Sequence, residues 1–288
     1  MDDFLLHKNT AAAIDRAIAT PSHAYIILGA EGSGRSQIAT HVASKLLRIN
    51  VADLAFEAQT KRIVPAPSIG IENVREIAAF LKLKTTGNSA VRRVVLIDDA
   101  HLMTIEAQNA ALKLFEEPPA DTVFILSADD KQPLLPTIQS RVQVVKIRTP
   151  SMQDALVYYV ERGHTSEAVT RAYMIADGQA WLLQALLTEA NDHSLVKAIS
   201  AARSIASKSR YERLLLIDEI VRDKSYRGEL LYAFKRLFAA ALMQSAKKDL
   251  KLDVGLYINR LQAVLRAETS LAMNGTPKLV FTDLFMQL

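Results

Sequence analysis

The first half of the chain alternates between short apolar runs and helical patterns. Four runs rich in apolar and β-branched residues predict strands, at 24–28, 94–97, 123–126 and 144–147, and the continuous runs at 94–97 and 123–126 predict buried ones. Helices are predicted where apolar residues recur every three or four positions, over 9–19, 36–48, 71–83 and 105–117. Strands that alternate with helices indicate a parallel sheet that is covered by helices on both faces.

Three connecting segments of this half carry weaker patterns. Prolines and a glycine between 50 and 70 argue against a helix, so we predict an irregular connection there. Thr-Thr-Gly-Asn at 85–88 predicts a turn before the strand at 94–97. After two further prolines, residues 137–141 predict a short turn or helix.

The pattern changes after Pro150, and no strand is predicted from there to the end. Short helices are predicted first, over 152–162, 166–177 and 179–187. Four or five longer helices are predicted over 194–285, among them 210–221 and 228–244. Because 288 residues are too many for one small core, this helical part forms one or two further domains.

Composition excludes several classes of protein. Half of the residues are apolar and 23% are charged, as in ordinary soluble globular proteins, and the net charge of +4 permits nucleic acid nearby without requiring it. The chain has no cysteine, which excludes disulfides and thiolate zinc sites. No apolar run approaches the ~20 residues of a membrane helix, and the acidic N-terminus is unlike a secretory signal. We therefore expect a cytoplasmic protein without a membrane partner.

Residues 29–36, directly after the first strand, match the phosphate-loop pattern G-x-x-x-x-G-K-[ST] except that Arg35 stands at the lysine. Gly29, Gly32 and Gly34 would let backbone N–H groups approach a phosphate, and Ser36 has the hydroxyl that would bind Mg²⁺. Arginine is larger than lysine and planar, so the exchange is not conservative. Three interpretations are open: an active phosphate loop, a loop that keeps the shape but is weak or inactive, and a glycine turn that only packs a strand on a helix. We favour the weak or inactive loop.

Two carboxylates follow the strand at 94–97, at the edge where open α/β sheets bind ligands. Asp98 can bind Mg²⁺, and Asp99 can orient a water molecule, although it is one methylene shorter than the glutamate of active nucleotide hydrolases. Ser127 ends the neighbouring strand, where it either senses a γ-phosphate or is a solvated strand end. We therefore predict a nucleotide site with weakened chemistry.

Ser140 and Arg141 lie in a polar loop just before the last strand. A lone arginine is normally a solvated surface residue. The position of Arg141 favours an arginine finger, which stabilises transition-state charge at the phosphates of a neighbouring subunit and can change the rate by ~10³–10⁵. His23 and His101 have no metal-ligand partners at useful spacing, so we predict no metal site from them.

Together these segments resemble the AAA+ clamp-loader subunits of bacterial DNA polymerase III, most closely those of the δ′ type. The resemblance is dense over residues 5–150 and weaker in the helical remainder. The stretches that carry it are His-Ala-Tyr at 23–25, the glycine loop, 69–75, 92–99, 109–113, Glu-Glu-Pro-Pro at 116–119 and Ser-Arg at 140–141.

The resemblance implies a RecA-like AAA+ domain over 1–149, an all-α lid over 150–192 and an all-α collar over 193–288. It also implies a hetero-pentameric ring with γ/τ and δ subunits, which uses ATP to load the β sliding clamp onto primed DNA. In such a ring the δ′ subunit is a stator that does not hydrolyse ATP productively. Carried over to this chain, Arg141 is the finger that it presents to the adjacent γ/τ subunit, with Ser140 as its partner.

This chain departs from the family's pattern in several places. Family members often carry a four-cysteine zinc module after the first helix. This chain has no cysteine and only a short connection there, so we predict no zinc. Val142 replaces the cysteine of the usual Ser-Arg-Cys, and Gly-Gln-Ala-Trp at 178–181 lacks the ATP-sensing arginine expected in the lid. The sequence leaves open whether ATP or ADP with Mg²⁺ binds weakly at 29–36.

Two alternatives stay open beside the stator. The chain could be an ATP-hydrolysing γ/τ-like subunit that tolerates Arg35, or a general AAA+ regulator outside replication. ATP turnover by the isolated chain would distinguish the γ/τ-like subunit from the stator. Co-purification with a sliding clamp would distinguish both of these from the general AAA+ regulator.

Overall fold

The computed structural model describes residues 5–85, 89–132, 134–188, 190, 193–247 and 254–288. The chain divides into two compact units, Met1–Pro150 and Ser151–Leu288. Residues 86–88 of the turn predicted at 85–88 lie outside the described residues. The finer division of the second unit into a lid and a collar stays a prediction.

The first unit contains the predicted parallel sheet. Its strands are β1 (Ala24–Leu28), β2 (Thr60–Ile63), β3 (Arg93–Ile97), β4 (Thr122–Ala128) and β5 (Gln143–Lys146). They lie in the order β2-β3-β4-β1-β5, and the pairings are parallel. β3 and β4 are buried along their whole length, as their continuous apolar sequences predict.

Helices pack around this sheet in the part of the first unit that the structure describes. They are α1 (Lys8–Ala19), α2 (Arg35–Leu47), α3 (Ile71–Leu81), α4 (Ile105–Glu116) and α5 (Pro136–Gln139). Val95 and Ile97 of β3 join one core cluster with apolar residues of α3 and α4, among them Ile77 and Phe115. Because successive strand residues point to opposite faces, Val94 and Leu96 turn the other way, and α2 packs against β3 and β4.

The prediction of an irregular connection over 50–70 is wrong for part of it. A 3-10 helix occupies Val51–Phe56, and β2 pairs with β3 at the edge of the sheet. The sequence of β2, Thr-Lys-Arg-Ile, has a single apolar residue and therefore lacks the signal of a buried strand. An edge strand pairs on one side only and commonly carries charged residues, so its sequence pattern resembles that of a loop.

Arg93, directly before the strand predicted at 94–97, is the first residue of β3 and is buried. Arg93 is 6% exposed, pairs with Asp121 at 3.0 Å and donates hydrogen bonds to the carbonyl oxygens of Leu81 and Leu83 at 2.6 and 3.1 Å. Burial alone would raise the pKa of Asp121, but hydrogen bonds from Thr85 and Arg93 outweigh it and lower the pKa to about 2. These contacts fix the starts of β3 and β4 relative to the end of α3.

The second unit is helical throughout the part that the structure describes. Its helices are α6 (Met152–Val160), α7 (Ser166–Ala176), α8 (Ala180–Leu187), α9 (Ser194–Ser207), α10 (Arg210–Leu215), α11 (Ile217–Ile220), α12 (Lys224–Lys247), α13 (Val254–Ala272) and α14 (Pro277–Gln287). The single helix predicted over 210–221 is in fact two, which meet at Leu216. The buried Arg213 donates a hydrogen bond of 3.1 Å to the carbonyl oxygen of Phe285 and joins α10 to α14.

Replacing Asp121 with asparagine should lower the free energy of unfolding by about 2 kcal/mol at pH 7, because the folded state lowers the pKa of this carboxyl group from 3.8 to about 2. The contribution is present above the unfolded pKa and is lost as the pH falls through the folded pKa. The difference from wild type should therefore shrink between about pH 4 and pH 2. Urea unfolding at several pH values measures it. The control is Asp15→Asn on the exposed face of α1, and an equal loss in both variants would contradict the prediction.

Candidate functional site

The glycine loop runs from the end of β1 to the start of α2, as its spacing predicts. Gly32 and Gly34 have φ values of 80° and 86°, which residues with a side chain rarely adopt. A Cβ atom on Gly29 would lie 2.4 Å from Oγ of Ser33, whose hydroxyl is buried and has no hydrogen-bond partner among the described residues. The loop is therefore a tightly packed turn that leads directly into a helix N-terminus, where a phosphate can bind.

Arg35 turns back onto this loop. Its Nε and Nη2 atoms donate to Oδ1 of Asp99 at 3.1 and 2.7 Å, and Nη1 donates to the carbonyl oxygen of Gly29 at 2.8 Å. The side chain is 15% exposed. The guanidinium group is thus held by the chain's own acceptors, whereas the lysine of an active phosphate loop reaches the phosphates of the nucleotide.

Ser36 and Asp98, the two predicted Mg²⁺ ligands, lie next to each other. The Ser36 hydroxyl donates to Oδ1 of Asp98 at 2.9 Å. A third residue contacts both: Arg62 of β2 donates from Nε to Oδ2 of Asp98 and from Nη2 to Oγ of Ser36, each at 2.7 Å. Sequence reasoning missed Arg62 because it missed the strand that carries it.

Asp99 and Ser127 are joined through the backbone. Asp99 has a left-handed backbone, with φ 46° and ψ 48°, and its N–H donates to Oγ of Ser127 at 3.1 Å. Ser127 is fully buried, so the interpretation of this serine as a solvated strand end is wrong. Its hydroxyl fixes the turn that presents the carboxylate of Asp99.

A neutral histidine lies at the same edge of the sheet. Burial, followed by the positive charge of Arg35, lowers the pKa of His101. The imidazole is therefore uncharged at pH 7, and its Nδ1 atom accepts a hydrogen bond of 3.2 Å from the backbone N–H of Asp129. This is a structural contact that ties the end of β3 to the end of β4.

Ser140 and Arg141 follow α5 at the surface. Arg141 donates from Nη2 to Oε1 of Glu116 at 2.6 Å and from Nη1 to the carbonyl oxygen of Thr137 at 2.7 Å. The Ser140 hydroxyl donates to the same carbonyl oxygen at 3.0 Å and accepts from Arg141 at 3.2 Å. The side chains of Arg141 and Glu116 are 34% and 45% exposed. Val142, next in the chain, is buried in the core.

These contacts decide what the glycine loop could hold. The turn and the N-terminus of α2 fit a phosphate group. Mg²⁺ does not fit between Ser36 and Asp98 while the Arg62 guanidinium lies there, because its bonds to oxygen of about 2.1 Å would require the same position. Elsewhere in the described residues, no group of three or more His, Cys, Asp or Glu side chains could hold a metal ion. None of the described helices is both long and apolar enough to cross a membrane.

Comparison with known proteins finds relatives among the subunits of DNA polymerase III. A family model described as DNA polymerase III, delta subunit, matches residues 48–151. The DNA polymerase III subunit delta′ of Pseudomonas aeruginosa is 33% identical over an alignment 137 residues long, and the match covers 42% of this chain and 41% of that protein. The subunit delta′ of Bacillus subtilis is 21% identical over an alignment 282 residues long, and the match covers 93% of this chain and 78% of that protein. Other relatives are tau and gamma subunits of DNA polymerase III.

A solved structure has the same fold. It is a DNA polymerase III gamma subunit-related protein from Thermotoga maritima, with a TM-score of 0.53 and 18% sequence identity, and the match covers 97% of this chain and 98% of that one. The parallel sheet and the helical second unit thus have an AAA+ fold, as predicted. The chain is similar to subunits of DNA polymerase III, and its predicted resemblance to the δ′ type of clamp-loader subunit is confirmed. The match to the P. aeruginosa relative spans less than half of that protein.

Replacing Gly29 with alanine should destabilise the protein by about 1–3 kcal/mol, because the new Cβ atom would force the buried Ser33 side chain to move. The matched control is Gly228→Ala in α12, where a Cβ atom meets nothing within 4 Å and alanine favours the helix by about 0.5–1 kcal/mol. Urea unfolding measures both variants. A G29A protein as stable as wild type would show that the loop is not packed as described.

Proposed function

We propose that this chain is a δ′-type stator of a clamp loader and supplies Arg141 as an arginine finger to the ATP site of a neighbouring γ/τ subunit. One observation carries the proposal. Arg141 pairs with Glu116, and both side chains are about one-third exposed or more. The two pairs beside the chain's own glycine loop each include a largely buried side chain, Arg35 in one and Asp98 in the other. Such a subunit assists ATP hydrolysis in the neighbouring subunit without hydrolysing ATP productively itself.

Arg141 can exchange its present partner at little cost. Its ion pair with Glu116 joins two side chains that are both about one-third exposed or more, and such pairs contribute about 0–1 kcal/mol. A triphosphate carries more negative charge than one carboxylate and accepts two parallel hydrogen bonds from a guanidinium group. The hydrogen bond from the Ser140 hydroxyl to Thr137 holds the backbone from which Arg141 extends.

The chain's own loop lacks the free groups that hydrolysis needs. The ion pair between Arg35 and Asp99 engages both the residue at the lysine position and the residue expected to orient a water molecule. Each would have to leave the other before it could act on a nucleotide. These contacts support a loop that keeps its shape and has little or no activity.

The proposed partners follow from the names of the relatives. Those relatives are delta′, tau and gamma subunits of DNA polymerase III. We infer that this chain joins γ/τ and δ subunits in a hetero-pentamer in the cytoplasm, without a membrane partner. Through that complex it acts on the β sliding clamp and on primed DNA.

A second candidate function is an ATP-hydrolysing γ/τ-like subunit. The observation that favours it is the distance of 2.9 Å between Ser36 and Asp98, together with the tau and gamma relatives. ATP turnover by the isolated chain that Asp98→Asn abolishes would favour this candidate. Failure to co-purify with a sliding clamp or polymerase subunits would instead favour a general AAA+ regulator outside replication.

Replacing Arg141 with alanine should leave the fold and the assembly intact and reduce ATP hydrolysis by the reconstituted loader. The ATP site that receives the finger should lose ~10³–10⁵ in rate. Because the other sites keep their own fingers, the total rate should fall by the share that this site contributes and not to zero. Steady-state ATP hydrolysis in the presence of clamp and primed DNA measures the loss, and size-exclusion chromatography checks the assembly.

Two matched variants make this test specific. Arg148→Ala removes another exposed arginine of the same unit and should leave the rate unchanged. Glu116→Gln removes the carboxylate that holds Arg141 and should leave the rate at or above that of wild type. An R141A loader that assembles and hydrolyses ATP as fast as wild type would remove the finger assignment.

A further inference from the structure

We propose that the Arg62 guanidinium occupies the position of the divalent cation in this chain's own glycine loop, and so keeps Mg²⁺ out of it. The inference goes beyond the function of Arg141, because it concerns how the chain's own nucleotide site is closed. It depends on three side chains: Arg62, Ser36 and Asp98.

The contacts of Arg62 are those that a metal ion would make. A serine hydroxyl and an aspartate carboxylate are oxygen ligands of the kind that Mg²⁺ prefers. Arg62 donates one hydrogen bond to each, both at 2.7 Å, and Ser36 and Asp98 remain joined to each other at 2.9 Å. One positive charge thus bridges the same pair of oxygen-bearing groups that the ion would bridge.

The shape of arginine allows this bridge. Its planar guanidinium group carries N–H donors that point in fixed, different directions, so Nε reaches Asp98 while Nη2 reaches Ser36. The strand sets the direction of the side chain. Successive residues of β2 point to opposite faces, so Lys61 pairs with Glu76 of α3 at 2.8 Å and Arg62 extends towards the loop.

Burial makes the bridge persistent. The Asp98 side chain is 9% exposed, and an ionised carboxylate in such surroundings is stable only with a cation or several donors around it. Arg62 is 40% exposed and lies at the sheet edge. It can therefore be replaced without opening a cavity in the core, and the carboxylate would then need another cation.

Replacing Arg62 with glutamine should convert the loop into a Mg²⁺-dependent site. We expect R62Q to bind ADP at least tenfold more tightly in Mg²⁺ than in EDTA. The wild-type chain should show no gain from Mg²⁺, whether it binds ADP weakly or not at all. Isothermal titration of the full chain with ADP in each buffer measures the ratio. Lys61→Gln is the matched control, because it removes the same charge from the neighbouring position of the same strand; it should behave as wild type.

Two further variants keep the test decisive. In the double variant R62Q/D98N the Mg²⁺ dependence should disappear, because the metal ligand is gone. If R62Q does not fold, Arg62→Lys is the alternative, because it keeps a charge near Asp98 without the second donor that reaches Ser36. In R62K, Mg²⁺ should strengthen ADP binding by a smaller factor. A tenfold gain from Mg²⁺ in wild type would overturn the proposal, as would a folded R62Q that binds no ADP in Mg²⁺ or gains nothing from it. ATP hydrolysis by a neighbour through Arg141 does not depend on this result, so the two proposals can fail separately.

Discussion

The carboxylate of Asp98, directly after β3, is almost completely buried, and it needs partners there because an isolated buried charge is costly. Ser36 supplies one from the first turn of α2, and Arg62 supplies another from β2. Three elements that are distant in the sequence are therefore joined at one point. The glycine loop is held against the sheet by the same contacts that close its metal side.

The chain uses its arginines in two different ways. Arg35 and Arg62 lie beside the glycine loop and pair with Asp99 and Asp98, so the local charge there is balanced by the chain's own side chains. Arg141 lies at the surface, and its pair with Glu116 is the kind that water and a competing anion weaken readily. An ion pair's contribution depends on its burial: Asp98 is 9% exposed and needs a partner, whereas Glu116 is 45% exposed and can release Arg141 at lower cost. Under the proposed function, such a subunit keeps the fold of a nucleotide-driven machine and offers Arg141 to another chain.

Much of the fold could be predicted from the sequence because its strongest patterns come from burial. The runs that became β1, β3 and β4 are continuous and apolar, and the glycine loop between β1 and α2 has a fixed spacing. β2 could not be predicted in this way, since an edge strand of polar residues has the composition of a loop. The helix predicted over 210–221 also looked continuous, although its chain turns at Leu216.

The candidate site was predictable in its residues and less so in its contacts. The motif spacing predicted that Ser36 and Asp98 could bind the same Mg²⁺ ion, but no sequence pattern indicates the direction in which a long side chain extends. The pairing of Arg35 with Asp99 and the role of Arg62 therefore emerged only from the structure. The same holds for Arg93, which marks the charged limit of a strand in the sequence and is a buried anchor in the fold.

The most direct measurement of this account is a structure of the assembled loader with Mg²⁺ and a non-hydrolysable ATP analogue. The account predicts that Arg141 has left Glu116 and lies within hydrogen-bond distance of a neighbour's γ-phosphate. It also predicts that Arg62 still bridges Ser36 and Asp98. A Mg²⁺-nucleotide bound between those two residues, or Arg141 directed away from every neighbouring nucleotide, would contradict it.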